Sequence, residues 1–119
     1  MIEPTTINIT VYQGATFKKE WAIYDSEDDS PYNLVGWTAR MQIRAKKKSE
    51  TPMIELTTEN GGIVLDTTTD QSTITIYISA EDTASFSSGG VYDLELIDEY
   101  RNVTRIMEGT VTLSTEVTR

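Results

Sequence analysis

Neither cysteine nor histidine occurs among the 119 residues of this chain. Without thiols, disulfides, thiolate metal sites and cysteine nucleophiles are excluded. Without imidazole, a Ser–His relay, a His-ligated zinc and an imidazole base are excluded as well. No apolar run approaches the roughly 20 residues that span a bilayer. The opening Met1–Ile2–Glu3–Pro4 lacks the basic and apolar regions of a signal peptide, so synthesis and retention in a cytoplasm are the expectation. Basic residues are scarce too: ten Lys and Arg face nineteen Asp and Glu, for a net charge of −9. An acidic surface repels phosphate backbones and anionic lipid, so neither nucleic acid nor a membrane surface is an expected partner.

Threonine is abundant instead, with nineteen copies, many alternating with Ile, Val or Leu. β-Branched side chains suit a pleated surface and crowd a helix, and period-two alternation marks strands with one buried and one wet face. The length suits one domain, residues 1–119, large enough to bury about two-thirds of its unfolded surface.

Ile7, Ile9 and Val11 predict a first strand ending at Gln13–Gly14. Phe17, Trp21 and Ile23 predict a second, and Trp37, Ala39, Met41 and Ile43 a third. Short strands follow at Ile54–Leu56 and Ile63–Leu65. Ile74, Ile76 and Ile78 continue the pattern, with residues 63–65 and 73–78 forming a hairpin across the polar turn 66–71. Ser79 caps one short helix with Asp82 three residues on, and Ser87–Ser88–Gly89–Gly90 stops it. Tyr92, Leu94 and Leu96 share one face of the next strand. In the last strand Thr104 and Ile106 have one parity and Val111 and Leu113 the other, which predicts a bulge or bend at Glu108–Gly109, with the strand serving two sheets. About eight short strands with brief connections predict an all-β, antiparallel, immunoglobulin-like β-sandwich with one short helical turn.

Chemistry-bearing constellations are sparse. Asp25, Glu27 and Asp29 alternate as at the start of a calcium loop, but Ser30 and Gly36 stand where an EF-hand needs glycine and glutamate. They remain the one weak metal candidate, with a solvated turn the favoured reading. Asp93 and Glu95 share a strand face, where Arg40, Arg44 or Arg105 on neighbouring strands would offset them. No nucleophile elbow, Ser-x-x-Lys, Walker loop or dinucleotide fingerprint occurs. The expectation is a binding or structural module with no catalytic residues and no cofactor.

For interactions the candidates are strand edges and end loops. Arg44, Lys46, Lys47 and Lys48 form the one basic cluster, for which a solvated loop is the favoured reading because no second basic or aromatic element accompanies it. Tyr77 and Tyr100 fall on polar parity or in a turn, where an exposed tyrosine supplies contact area at low entropic cost. Trp21 and Trp37 belong to the core by parity. The segment Met1–Thr6, with Ile2 and Pro4, is extended and suits strand addition to a neighbour, or else frays.

Several blocks resemble a known family. They are Gln13–Gly14–Ala15–Thr16–Phe17, the run Tyr32 to Arg44, Leu56–Thr57–Thr58–Glu59–Asn60–Gly61–Gly62–Ile63, Gly90 to Leu96, and Glu108–Gly109–Thr110–Val111. Small structural proteins of tailed bacteriophages with a β-sandwich domain carry similar blocks in the same order, across nearly the whole chain. The resemblance implies a virion component, assembled in the host cytoplasm, docking on other virion proteins in symmetric copies. It brings no catalytic residues. A tail, neck or baseplate adaptor that anchors fibres is the leading expectation. A capsid decoration (cement) protein and a carbohydrate-binding module aiding host recognition are the alternatives.

Overall fold

A computed structural model describes residues 4–24 and 30–118. Asp25, Glu27 and Asp29, the weak metal candidate, and Ile2 lie outside the described residues. The strands run in chain order as β1 (Thr5–Thr6), β2 (Ile9–Tyr12), β3 (Phe17–Ala22), β4 (Thr38–Arg44), β5 (Ile54–Thr57), β6 (Ile63–Asp66), β7 (Thr73–Ile78), β8 (Gly90–Ile97) and β9 (Val103–Ser114). One helix, α1 (Ala80–Ala84), stands between β7 and β8.

Two sheets face each other. The larger has the order β1-β9-β8-β4-β5 with β2 also on β9, and the smaller is β3-β7-β6. In immunoglobulin-like sandwiches the strands lettered B, E and D pair in one sheet and C, F and G in the other, to which variable-type domains add C′. Here β3, β7 and β6 take the first set of places, and β4, β8 and β9 the second, with β5 beside β4. The predicted immunoglobulin-like sandwich is the observed architecture, and the hairpin predicted over 63–65 and 73–78 is present, its first strand reaching Asp66, with Ile63 opposite Ile76.

The core is what the alternation required. Met41 and Ile43 of β4, Leu94 and Leu96 of β8, and Ile74, Ile76 and Ile78 of β7 are each at most 2% exposed and meet between the sheets. Trp21 and Trp37 pack against this core while partly exposed. Trp37 meets Tyr32 edge-to-face, with ring centroids 5.8 Å apart and planes at 83°, a geometry the ring quadrupoles favour.

Polar groups that enter the core are satisfied. Thr83 of α1 is fully buried. Its Oγ1 donates to Ala15 O at 2.8 Å and accepts from Gly14 N–H at 3.0 Å, fastening the helix to the β2–β3 turn. Ser79 caps the helix as predicted, its Oγ accepting from Asp82 N–H at 3.1 Å. Buried Ser72 accepts from Leu34 N–H at 3.0 Å. The β8–β9 turn closes around Asp98, whose carboxylate accepts from the backbone N–H groups of Tyr100 and Asn102. Desolvation pulls the Asp98 carboxyl upward, but the bonds from Asn102 and Tyr100 prevail and hold it below its usual range.

Three expectations are corrected. First, the sandwich is not wholly antiparallel: β1 and β2 run parallel to β9. Short connections enforce antiparallel pairing only between consecutive strands, and nearly the whole chain separates these. Second, the phase change in the last strand lies earlier than Glu108–Gly109. The register slips where Leu94 opposes Met107 but Glu95 opposes Arg105, leaving Ile106 as the extra residue. Ile106 and Met107 are both buried in succession, the mark of a bulge. Third, β9 does not change sheets; all its partners belong to the larger one.

Gly109 has a different duty from the one predicted. It opposes Tyr92 across the sheet, and a Cβ there would lie 2.3 Å from Ile7 O. The missing side chain lets the β1–β2 junction approach β9 closely. Tyr92 covers the gap from the core side and donates its hydroxyl proton to Ile7 O at 2.6 Å. Burial pushes the Tyr92 phenol up to about 12.

Candidate docking face

Strand parity decides what the outer face of the larger sheet carries. On β4, Arg40, Gln42 and Arg44 alternate with the core residues and point outward. Asp93 and Glu95 do the same on β8. On β9 the bulge at Ile106 is decisive. In a regular strand residues 105 and 108 would lie on opposite faces, whereas the extra residue brings Arg105 and Glu108 onto one face. There Arg105 Nη1 lies 3.3 Å from Glu108 Oε1, and its Nε lies 3.6 Å from Asp93 Oδ2. Arg40 Nε pairs with Glu95 Oε1 at 2.8 Å. The carboxylates at 93 and 95 are thus taken up in cross-strand ion pairs, as expected, each worth about 0.2–1 kcal/mol at such exposure.

Arg44 is held differently. Its Nη1 donates to Ser49 O and its Nη2 to Gln42 Oε1, both at 2.6 Å. Gln42 is oriented in turn by donating from Nε2 to Glu55 Oε2 at 2.5 Å. The Ser49 carbonyl is placed by an ordered turn: Ser49 N–H donates to Lys46 O, and Lys46 N–H to Ser49 Oγ, both at 3.0 Å. The loop 45–52 is therefore fastened at its start, and Lys46, Lys47 and Lys48 stand exposed on it.

A depression of ≈ 510 Å³ lies across β1, β9, β8 and the end of β4, walled by Asn8, Arg44, Lys47, Asp93, Arg105 and Glu108 among others. Asn8 Oδ1 accepts from Thr110 N–H at 3.0 Å, which fixes its amide at the rim. Lys47 thus has basic companions after all. Along the chain the basic cluster is Arg44 with Lys46, Lys47 and Lys48, and in space Arg105 joins Arg44 and Lys47 in lining the same hollow. Arg44 was legible as an outward residue of β4. Arg105 was legible as a partner for Asp93 and Glu95, but its pairing with Glu108 was not, since that depends on the bulge.

The other candidates lie apart. Pro4 is exposed just before β1, and Thr5–Thr6 pair with Met107–Glu108 of the same chain. Tyr77 lines a separate recess of ≈ 260 Å³ with Leu56, Gly62 and Asp82. Tyr100 is 78% exposed on the β8–β9 turn. Neither of these two depressions takes in both tyrosines. Among the same residues no three carboxylates gather to hold a metal ion, and no helix is long and apolar enough to cross a membrane.

No protein-family model matches the chain, and no curated protein matches it. The solved structures similar to it include one from photo-crosslinking work on the "multimeric cell-adhesive interactions of VGSC beta subunits". That likeness covers 95% of this chain and 93% of the other, at 14% identity and a TM-score of 0.47. The fold assignment rests on the strand order and registers above and not on this likeness.

Proposed function

We propose that the chain is a docking module, a structural component of a tailed-bacteriophage virion placed on the tail, neck or baseplate, where it anchors other virion proteins through the outer face of its larger sheet. The virion part of this reading rests on the resemblance of the sequence blocks. The docking part is supported chiefly by one observation: the polar depression is prearranged, with Arg44, Gln42 and Asn8 each held in place by hydrogen bonds before any partner arrives. Such ordering lowers the entropic cost of association.

The sheet edges favour a face over an edge as the contact. Lys19 of β3 shares the parity of Phe17 and Trp21, yet is exposed between exposed Lys18 and Glu20. A charge at an inward position of an edge strand discourages strand addition. The edge of β9 is already covered by β1 and β2 of the same chain. Docking through Met1–Thr6 as an added strand is correspondingly less favoured than docking through the face.

Mass spectrometry of purified particles, with copy counting, tests the reading. A tail, neck or baseplate part is expected at about six to twelve copies or a small multiple, as closed symmetry requires. Absence of the chain from the particle would refute it, and hundreds of copies would transfer the module to the capsid surface.

A further inference from the structure

We infer that the depression beside the β4–β5 turn takes a carboxylate side chain of an extended protein segment, with Arg44 as its anchor, an inference that rests on the docking reading above. A guanidinium carries five N–H donors. Two of those on Arg44 are spent, on the Ser49 carbonyl and the Gln42 side-chain carbonyl. Both acceptors are neutral, and no carboxylate among the described residues lies within 4 Å of its guanidinium. Arg105, in the same hollow, is paired with Asp93 and Glu108.

The contrast decides the ligand. One arginine is neutralised from within, while a half-buried neighbour is held rigid and left to an external anion, with Lys47 beside it. A planar carboxylate matches the remaining fork of Arg44. Asn8 uses its Oδ1 on Thr110 N–H, which leaves its amide N–H groups for a carbonyl of the incoming segment. The volume lies within the ~300–1,000 Å³ of sites that bury a small group and its immediate attachments.

The net charge of −9 does not forbid an acidic side chain. Charges beyond about 8 Å are largely screened at physiological ionic strength, so the hollow's own groups decide: Arg44, Lys47 and Arg105 outnumber Asp93 and Glu108 by one positive charge. A nucleic-acid strand is a poorer occupant. Its phosphates are fixed along the backbone and would have to pass Asp93 and Glu108, whereas one flexible carboxylate side chain reaches Arg44 while its neighbours turn to solvent.

The test is an NMR titration of the isotope-labelled full chain with a blocked hexaglutamate peptide, a hexaglutamine peptide and a single-stranded thymidine hexamer. Hexaglutamate is expected to shift the amide signals of Asn8, Val91 and Thr110 and the Arg44 side-chain N–H, and hexaglutamine is not. Arg44→Gln should weaken hexaglutamate binding at least about tenfold, the scale of one charge-assisted hydrogen bond. Arg40→Gln, which breaks only the Glu95 pair, should leave it within about twofold. Arg44→Lys keeps the charge without the fork and should fall between. If Arg44→Gln loses its dispersed spectrum, Lys47→Gln replaces it, with a loss of about threefold expected.

Unchanged affinity in these variants, equal binding of hexaglutamine, or tighter binding of the thymidine hexamer would overturn the inference. Normal incorporation of Arg44→Gln into particles would also overturn it while leaving the docking module standing. Absence of the unaltered chain from particles would remove the docking module and leave a peptide titration intact.

Discussion

Replacing Gly109 by alanine is expected to cost about 2–4 kcal/mol, because it drives a methyl group into the backbone of the β1–β2 junction. The new Cβ would lie 2.3 Å from Ile7 O, 2.8 Å from Ile7 C and 3.0 Å from Asn8 Oδ1. Carbon and oxygen settle at about 3.3 Å or more, so the junction must retreat by about 1 Å. Three hydrogen bonds stretch beyond useful length with it. These are Ile7 N–H to Glu108 O at 2.9 Å, Tyr92 OH to Ile7 O at 2.6 Å, and Thr110 N–H to Asn8 Oδ1 at 3.0 Å. At about 0.5–1.5 kcal/mol each, their loss gives the stated figure. For a domain of this length the melting temperature should fall by about 8–16 °C. Thermal unfolding measures that, and a phenolate titration reports the cause: Tyr92, pushed up to about 12 in the native fold, should move towards the ordinary tyrosine value of about 10. A melting temperature within about 2 °C of the parent, with Tyr92 still titrating high, would refute the reasoning.

Three further outcomes follow from the same structure. Tyr92→Phe should cost about 1 kcal/mol near neutral pH by removing the donor to Ile7 O. Because the folded phenol titrates above the unfolded one, its stabilising share is complete below about pH 10 and is lost as pH rises through about 12, a loss of about 2–3 kcal/mol that the variant lacks. Urea denaturation of the two proteins should therefore give stability curves that cross at alkaline pH, and parallel curves would contradict the assignment. Thr83→Val keeps the shape but strips Gly14 N–H and Ala15 O of their partner, and a loss of about 2–4 kcal/mol is expected by chemical denaturation. Arg101 holds φ at 69° in the β8–β9 turn, so Arg101→Gly should stabilise the domain by up to about 1 kcal/mol in the same assay.

Legibility of the fold varied with the range of the interaction. The alternation from Trp37 to Arg44 and from Thr73 to Ile78 located β4 and β7 because a half-buried strand writes its two faces into adjacent residues. Ser79 and Asp82 announced the helix cap for the same local reason. In the last strand the change of parity was visible, but its position was not. Gly109 looked like the slip because glycine tolerates one, whereas Met107 had already taken the new parity and Ile106 was the residue left over. Within the candidate site, Arg44 and Lys47 were readable as outward-facing and basic. Arg105 was readable as a partner for the same face, but its pairing with Glu108 was not, because the bulge that brings those two onto one side is set by strand register.

By itself, then, the sequence determined a two-faced β-protein without thiol or imidazole chemistry, since periodicity and composition act residue by residue. Tertiary structure alone decided that β1 and β2 lie parallel to β9, that Gly109 admits the Ile7 carbonyl, and that Arg105 is paired with Asp93 and Glu108 while Arg44 meets no carboxylate among the described residues. Those outcomes depend on which edges remain open and which faces coincide once distant strands have paired. No local pattern encodes that choice, because it is settled only when the two sheets close over their shared core.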